Sequence, residues 1–271
     1  MNKKIFFVVG SPRSGSSLIY NAICSNLIFN PAIPENHLVT NLTKNFYNQY
    51  LRNNEIEKNY FFESTQDTRL LFRKYLDIFF EKILNKYNSE NLILKSITLS
   101  PNINILNEIY PEIIYIMIMR DPKDIIVSML KVGKMQEKLN LKSQFPRNIE
   151  LLCKKINNSY RLIREKKIPT NLESKIMIIK YEDFITNPST KLNEISSNFS
   201  LNTKYDKKID IWSRSSKIYK EKKDSNNPYE SNLWNKPITS SRIGYYNEFL
   251  NNEEINLINS KCSEIIKNFK Y

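Results

Sequence analysis

Glycine is scarce in this chain: four residues in 271, two of which, Gly10 and Gly15, stand five positions apart near the start. In so glycine-poor a sequence, a pair at a strand-to-helix turn marks backbone that side chains would obstruct. Cysteine is scarce too. Cys24, Cys153 and Cys262 are odd in number and far apart, which leaves no disulfide framework and no metal-ligand spacing. A reducing compartment, hence a cytoplasmic protein, is the expectation. Long apolar runs are absent: none reaches the ~18 residues of a membrane span. The run inside "MNKKIFFVVGSPRS" is too short for a secretion signal. No integral membrane segment is expected.

Acidic residues are outnumbered, 28 Asp and Glu against 41 Lys and Arg, for a net charge of +13. That balance favours an anionic partner. Lysine runs such as "YKEKKD" (219–224) interleave acids and read as solvated surface rather than a nucleic-acid arm. With 41 % hydrophobic and 12 % aromatic residues, the chain can build a sizeable core.

Apolar runs at 5–9, 91–95, 113–119 and 175–180 read as buried strands. Helical patterns lie between and after them, at 15–28, from Thr65 to about Tyr87, from Pro101 to about Tyr110, after Arg120, at 147–167, at 188–199 and at about 252–268. Residues 30–63 read as mostly irregular with one short helix, and 204–240 carry little pattern. Strands apolar throughout, alternating with helices, predict an α/β fold: a P-loop-like three-layer domain with a central, mostly parallel sheet flanked by helices. With no internal repeat and no linker, residues 1–271 are expected to form one domain. Right-handed crossovers would then gather the strands' C-terminal ends on one edge. The unusual polar residues cluster there: the loop after the first strand, Lys95 ending the second, Arg120 after the third and Tyr181 after the fourth.

The loop "GSPRSGSS" (10–17) has the glycine spacing of a triphosphate-binding loop, with Ser17 at the final hydroxyl position. Ser16 stands where the lysine would be. Backbone N–H groups at a helix start can still cradle one phosphate. Ser14, Gly15, Ser16 and Ser17 would line the cradle and Arg13 would add charge. In "RDPKDIIVS", Arg120 and Ser128 are eight positions apart, a cation at a strand end and a hydroxyl on the following helix, suited to a second phosphate. Asp121 reads as a helix cap followed by Pro122.

Together these segments resemble the sulfotransferases that use 3′-phosphoadenosine 5′-phosphosulfate (PAPS). "GSPRSGSSLI" is similar to that family's 5′-phosphosulfate loop, and "RDPKDIIVS" to its 3′-phosphate motif. Lys95, 25 positions before Arg120, matches a lysine of tyrosyl-protein and many bacterial members. "IKYEDFITNP" resembles a segment that sets Tyr181 at the nucleotide. "KPITSSRIGYYNEFL" resembles the segment that closes over the donor, and offers Arg242. The resemblance implies PAPS as donor, 3′,5′-ADP (PAP) as product and no metal. It further implies a hydroxyl-bearing acceptor, either a carbohydrate, a peptide tyrosine or a small molecule; the net charge would suit an anionic glycan or peptide. Glu35 is the preferred base, with His37, the only histidine, as the other candidate. Lys95 and Arg13 would stabilise charge at the transferring group. Residues 36–62 and 204–240 are expected to shape the acceptor site and lid. Tyr229, Trp234 and Tyr245 read as aromatic core, with an acceptor-pocket wall as the alternative, and the resemblance offers Ser231 as a serine near the leaving group. Rival readings are a degenerate P-loop kinase or NTPase and a non-catalytic anion-binding protein.

Overall fold

Strands apolar on both faces can be buried only inside a sheet covered on both sides; three of the four observed strands are buried throughout, and the fourth, at the sheet edge, is half-buried with Ile178 exposed. A computed structural model describes residues 3–48, 60, 62–206, 208, 210–216, 227–229, 231 and 233–271. The expected acceptor and lid segments lie partly outside these residues. Strands β1 (Ile5–Gly10), β2 (Leu92–Lys95), β3 (Ile114–Met119) and β4 (Ile176–Lys180) pair in parallel in the order β2-β1-β3-β4. Alternation along β1 divides the core. Ile5, Phe7 and Val9 face one apolar cluster, and Phe6 and Val8 the other.

Helices α1 (Ser16–Cys24), α2 (Leu38–Phe46), α3 (Thr65–Tyr87), α4 (Ile103–Ile109), α5 (Pro122–Lys138) and α6 (Ile149–Ser159) follow in chain order. After them come α7 (Tyr181–Thr186), α8 (Pro188–Asn198), α9 (Asn252–Lys261) and α10 (Ser263–Phe269). Residues of α2 to α6, α9 and α10 pack on the Phe7 side of the sheet. Residues of α1, α7 and α8 pack on the Phe6 side. The three-layer α/β architecture expected from the sequence is therefore present.

Three expected helices end or break early, each for a tertiary reason. The helix expected over 15–28 stops at Cys24, and Arg214 Nη1 donates to the carbonyls of Cys24 (3.0 Å) and Phe29 (2.8 Å). The one expected over 147–167 breaks at Tyr160, whose hydroxyl donates to Ile118 O (2.8 Å) and accepts from Ser11 N (3.1 Å). The C-terminal helix breaks at buried Cys262, where Asn157 Nδ2 of α6 donates to Lys261 O at 2.8 Å. Among the described residues no helix is long and apolar enough to cross a membrane.

The β1 crossover runs to β2 on one side, while β3 connects to β4 on the other. Loops leaving adjacent strands in opposite directions open a crevice between them. The loop after β1 and the turn after β3 flank it.

Candidate functional site

A cavity of about 1470 Å³ occupies this crevice. The loop at its floor is shaped by its two glycines. Gly10 has φ +146°, and a Cβ there would meet Ile118 O at 2.6 Å. Ser100 Oγ holds the same residue, accepting from Gly10 N (2.6 Å) and donating to Gly10 O (2.8 Å). Gly15 caps α1 with φ +93°, and a Cβ there would stand 2.3 Å from the Tyr181 ring. The first N–H groups of α1, those of Ser16 and Ser17, have no partner within the helix and sit at the cavity wall.

The third and fourth strand ends supply a guanidinium on an aromatic ring. Arg120 lies over Tyr181 with Cζ 4.4 Å from the ring centroid. Its Nη1 donates to Arg13 O (3.4 Å) and its Nη2 to Arg242 O. Nη2 also lies 3.7 Å from Asp124 Oδ2, one helical turn on. The Arg120 side chain is only 8 % exposed, yet Nε has no hydrogen-bond partner. Ser128, two turns further along the same face of α5, accepts from Arg13 Nε at 3.1 Å, which leaves its own hydroxyl proton free for another acceptor. Arg13 Nη1 donates to Tyr229 O at 3.2 Å. Burial, reinforced by the positive charge of Arg120, brings the Arg13 guanidinium down to about 10.

At the second strand end Lys95 Nζ donates to Ser17 Oγ (3.1 Å) and lies 3.4 Å from Glu35 Oε2. Glu35 Oε1 accepts from Ile97 N at 2.8 Å, so one carboxylate oxygen is fixed by backbone and the other faces the lysine. His37 is exposed at the start of α2 and also lines the cavity. Of the residues singled out in the sequence, Arg13, Gly15, Ser16, Ser17, Glu35, His37, Lys95, Arg120, Ser128, Tyr181 and Arg242 share this one cavity, with Tyr229, Ser231, Trp234 and Tyr245. Ser14 is the exception. It is fully buried beneath the loop, with its N–H donating to Ser11 O, and does not line the cavity.

The family model described as the sulfotransferase family matches residues 6–205. The chain belongs to the sulfotransferase family. No curated protein matches it in sequence. Among solved structures, its fold is similar to the sulfotransferase domain from the curacin biosynthetic pathway, with TM-score 0.56, 18 % identity, and 96 % of this chain and 98 % of that one covered. A Synechococcus olefin synthase sulfotransferase domain matches at TM-score 0.56 and 17 % identity, covering 96 % and 95 %. Sulfotransferase STF9 from Mycobacterium avium matches at 0.53 and 11 %, covering 98 % and 76 %.

Three residues of this sulfotransferase's site were not singled out from sequence. Glu182, beside Tyr181, accepts from Asp121 N at 3.0 Å and so ties the β4 end to the β3 end; burial raises its carboxyl above the ordinary value. Lys131, one turn past Ser128, lies 3.8 Å from the Tyr245 ring centroid and 4.2 Å from that of Phe249. Asp124, one turn past Arg120, accepts from Gly244 N and Tyr246 N. The helical spacing 120, 124, 128, 131 was the signal available for the last two. Among the described residues, no His, Cys, Asp and Glu group suits a metal ion.

Proposed function

We propose that residues 1–271 form one sulfotransferase domain that moves the sulfuryl group of PAPS to a hydroxyl acceptor and releases 3′,5′-ADP. One observation carries the donor assignment: buried Arg120, with an unmet N–H at Nε, in the cavity wall beside Ser128 and Arg242. A buried donor of that kind calls for an anion. Its place in one cavity with the Gly15–Ser17 helix start suits a nucleotide with phosphate at both 5′ and 3′ positions. Gly15 supports the fit, because the loop backbone approaches where a Cβ could not stand.

In this reading Arg120, Ser128 and Arg242 take the 3′-phosphate, and Gly15, Ser16, Ser17 and Tyr181 hold the 5′ side and the nucleoside. Glu35 Oε2 takes the acceptor's proton while Ile97 N–H holds the other oxygen in place. The bond from sulfur to the acceptor oxygen forms as the bond from sulfur to the leaving phosphate oxygen breaks. Lys95 and Arg13 neutralise the charge that grows on that oxygen. His37 is the second candidate base, on the same wall. The same wall also includes Ile97, Val132, Met135, Phe145, Leu233 and Trp234. That lining suits an acceptor that presents its hydroxyl from an apolar body better than it suits an anionic glycan.

Calorimetric titration with 3′,5′-ADP, Mg-ATP and an oligonucleotide tests the reading. The expected result is metal-free binding of 3′,5′-ADP, weakened at least tenfold by Arg120→Ala. Binding of Mg-ATP alone would favour a kinase or NTPase, and binding of the oligonucleotide alone a non-catalytic role.

A further inference from the structure

Asp124 is a negative charge in the wall that also carries Arg13, Arg120 and Arg242, and its chemistry is spent inward. Its side chain is 1 % exposed, so each oxygen needs a partner. Oδ2 accepts from Gly244 N at 2.9 Å and Oδ1 from Tyr246 N at 3.1 Å. Arg120 Nη2 lies 3.7 Å from Oδ2 and donates to the carbonyl of Arg242. The contacts close a ring: Arg120 to Asp124, Asp124 to the backbone of 244 and 246, and the backbone of 242 back to Arg120. Gly244, at φ +69°, provides the left-handed turn that aims two N–H groups at one carboxylate.

We propose that Asp124 is a positioning residue that makes the site select a 3′-phosphorylated nucleotide, by holding Arg120 and the 242–246 segment in one fixed arrangement. The proposal rests on the donor reading above. Arg120 and Arg242 are like charges that would separate if left alone, and Arg242 sits on a segment with no helix or strand of its own until Tyr245. One carboxylate gathers both. It compensates a single positive charge, so the two guanidiniums retain the net charge that a phosphate needs. Because its lone pairs face Gly244 and Tyr246, it offers little repulsion to that phosphate. Arg242 Cζ rests 4.6 Å from the Tyr245 ring centroid, so the ring that steadies Arg242 stands between the two residues Asp124 clasps.

The test uses two nucleotides that differ only in the 3′-phosphate, 3′,5′-ADP and 5′-AMP, titrated against wild type, Asp124→Asn and Tyr246→Pro. Proline at 246 removes one accepted N–H from the opposite side, at an early helical position that tolerates it, and keeps the test available where Asp124→Asn does not fold. Wild type should prefer 3′,5′-ADP at least a hundredfold. Either variant should cut that preference at least tenfold, with 5′-AMP affinity within threefold of wild type. In transfer assays the KM for PAPS should rise at least tenfold and kcat fall less than threefold. Equal weakening of both nucleotides, or an unchanged preference, would show Asp124 to be merely structural and overturn the proposal. A wild type that does not prefer 3′,5′-ADP would overturn the donor reading itself, a result distinct from either of these.

Discussion

Gly15 and Tyr181 touch across the crevice: the space for a Cβ on the glycine is already occupied by the tyrosine ring, 2.3 Å from the ideal position. The same ring carries the Arg120 guanidinium. Three strand ends are thus stacked, the β1 loop on the β4 tyrosine and that tyrosine on the β3 arginine. Gly15→Ala should therefore cost stability twice. The left-handed backbone costs about 1–2 kcal/mol with a Cβ present, and the ring must also move. The second part is separable. In a cycle with Tyr181→Ala, the two substitutions should be less than additive by at least about 0.5 kcal/mol. Urea unfolding of the four proteins measures this, and strict additivity would mean the contact contributes nothing.

Glu35→Gln separates proton transfer from binding. Glutamine keeps an oxygen for Ile97 N–H but loses the negative charge beside Lys95. The expected outcome is 3′,5′-ADP affinity within threefold of wild type and a transfer rate lower by about 10²–10⁴, the usual contribution of a general base. A variant that transfers at the normal rate would move the assignment to His37, and His37→Ala would then be the slow enzyme.

The buried strands and the cations at their ends were legible because both are set by local sequence. A short apolar run between helical patterns has few alternatives, and the residues just after it land on the sheet edge. The glycine pair was legible for the same reason. Ser14 was not, because loop spacing does not say which hydroxyls turn inward. Nor were the breaks at Tyr160 and Cys262, which depend on partners far away in sequence: Tyr160 bonds to Ile118 and Ser11, and Lys261 O, just before Cys262, accepts from Asn157. Asp124 lay in plain view on the motif helix. Its role depends on Gly244 and Tyr246, 120 and 122 positions later, and no local pattern announces such a clasp.

Ser100→Ala should destabilise the loop far from any ligand contact. Its single hydroxyl serves both the N–H and the carbonyl of Gly10, and alanine leaves these buried groups without that partner. The cost expected for an unmet buried group is about 1–3 kcal/mol. Tyr160→Phe should cost a similar amount, by releasing Ser11 N and Ile118 O. Both variants should weaken 3′,5′-ADP as the loop relaxes. A Ser100→Ala protein as stable as wild type in urea would show that Gly10 needs no such support.

Asp124 should make stability and selectivity respond to pH in opposite directions. Burial raises its carboxyl above the ordinary 3.8, while Arg120 and the two backbone N–H groups pull the other way. The folded state therefore holds the proton more tightly than the unfolded chain. Stability from this group is fully present below 3.8 and is lost as pH rises through the higher folded value. Glu182 shifts in the same direction and adds its own slope to wild type and variant alike. The stability of wild type minus that of Asp124→Asn should thus fall as pH rises above about 3.8 and level off once the folded carboxyl has ionised. The clasp itself needs the charged form, so preference for 3′,5′-ADP over 5′-AMP should rise across the same window. Urea unfolding and calorimetry at matched pH read the two curves. A stability difference that rises with pH would mean that Arg120 and the two N–H groups outweigh burial, and that the ionised clasp stabilises the fold as well as the site.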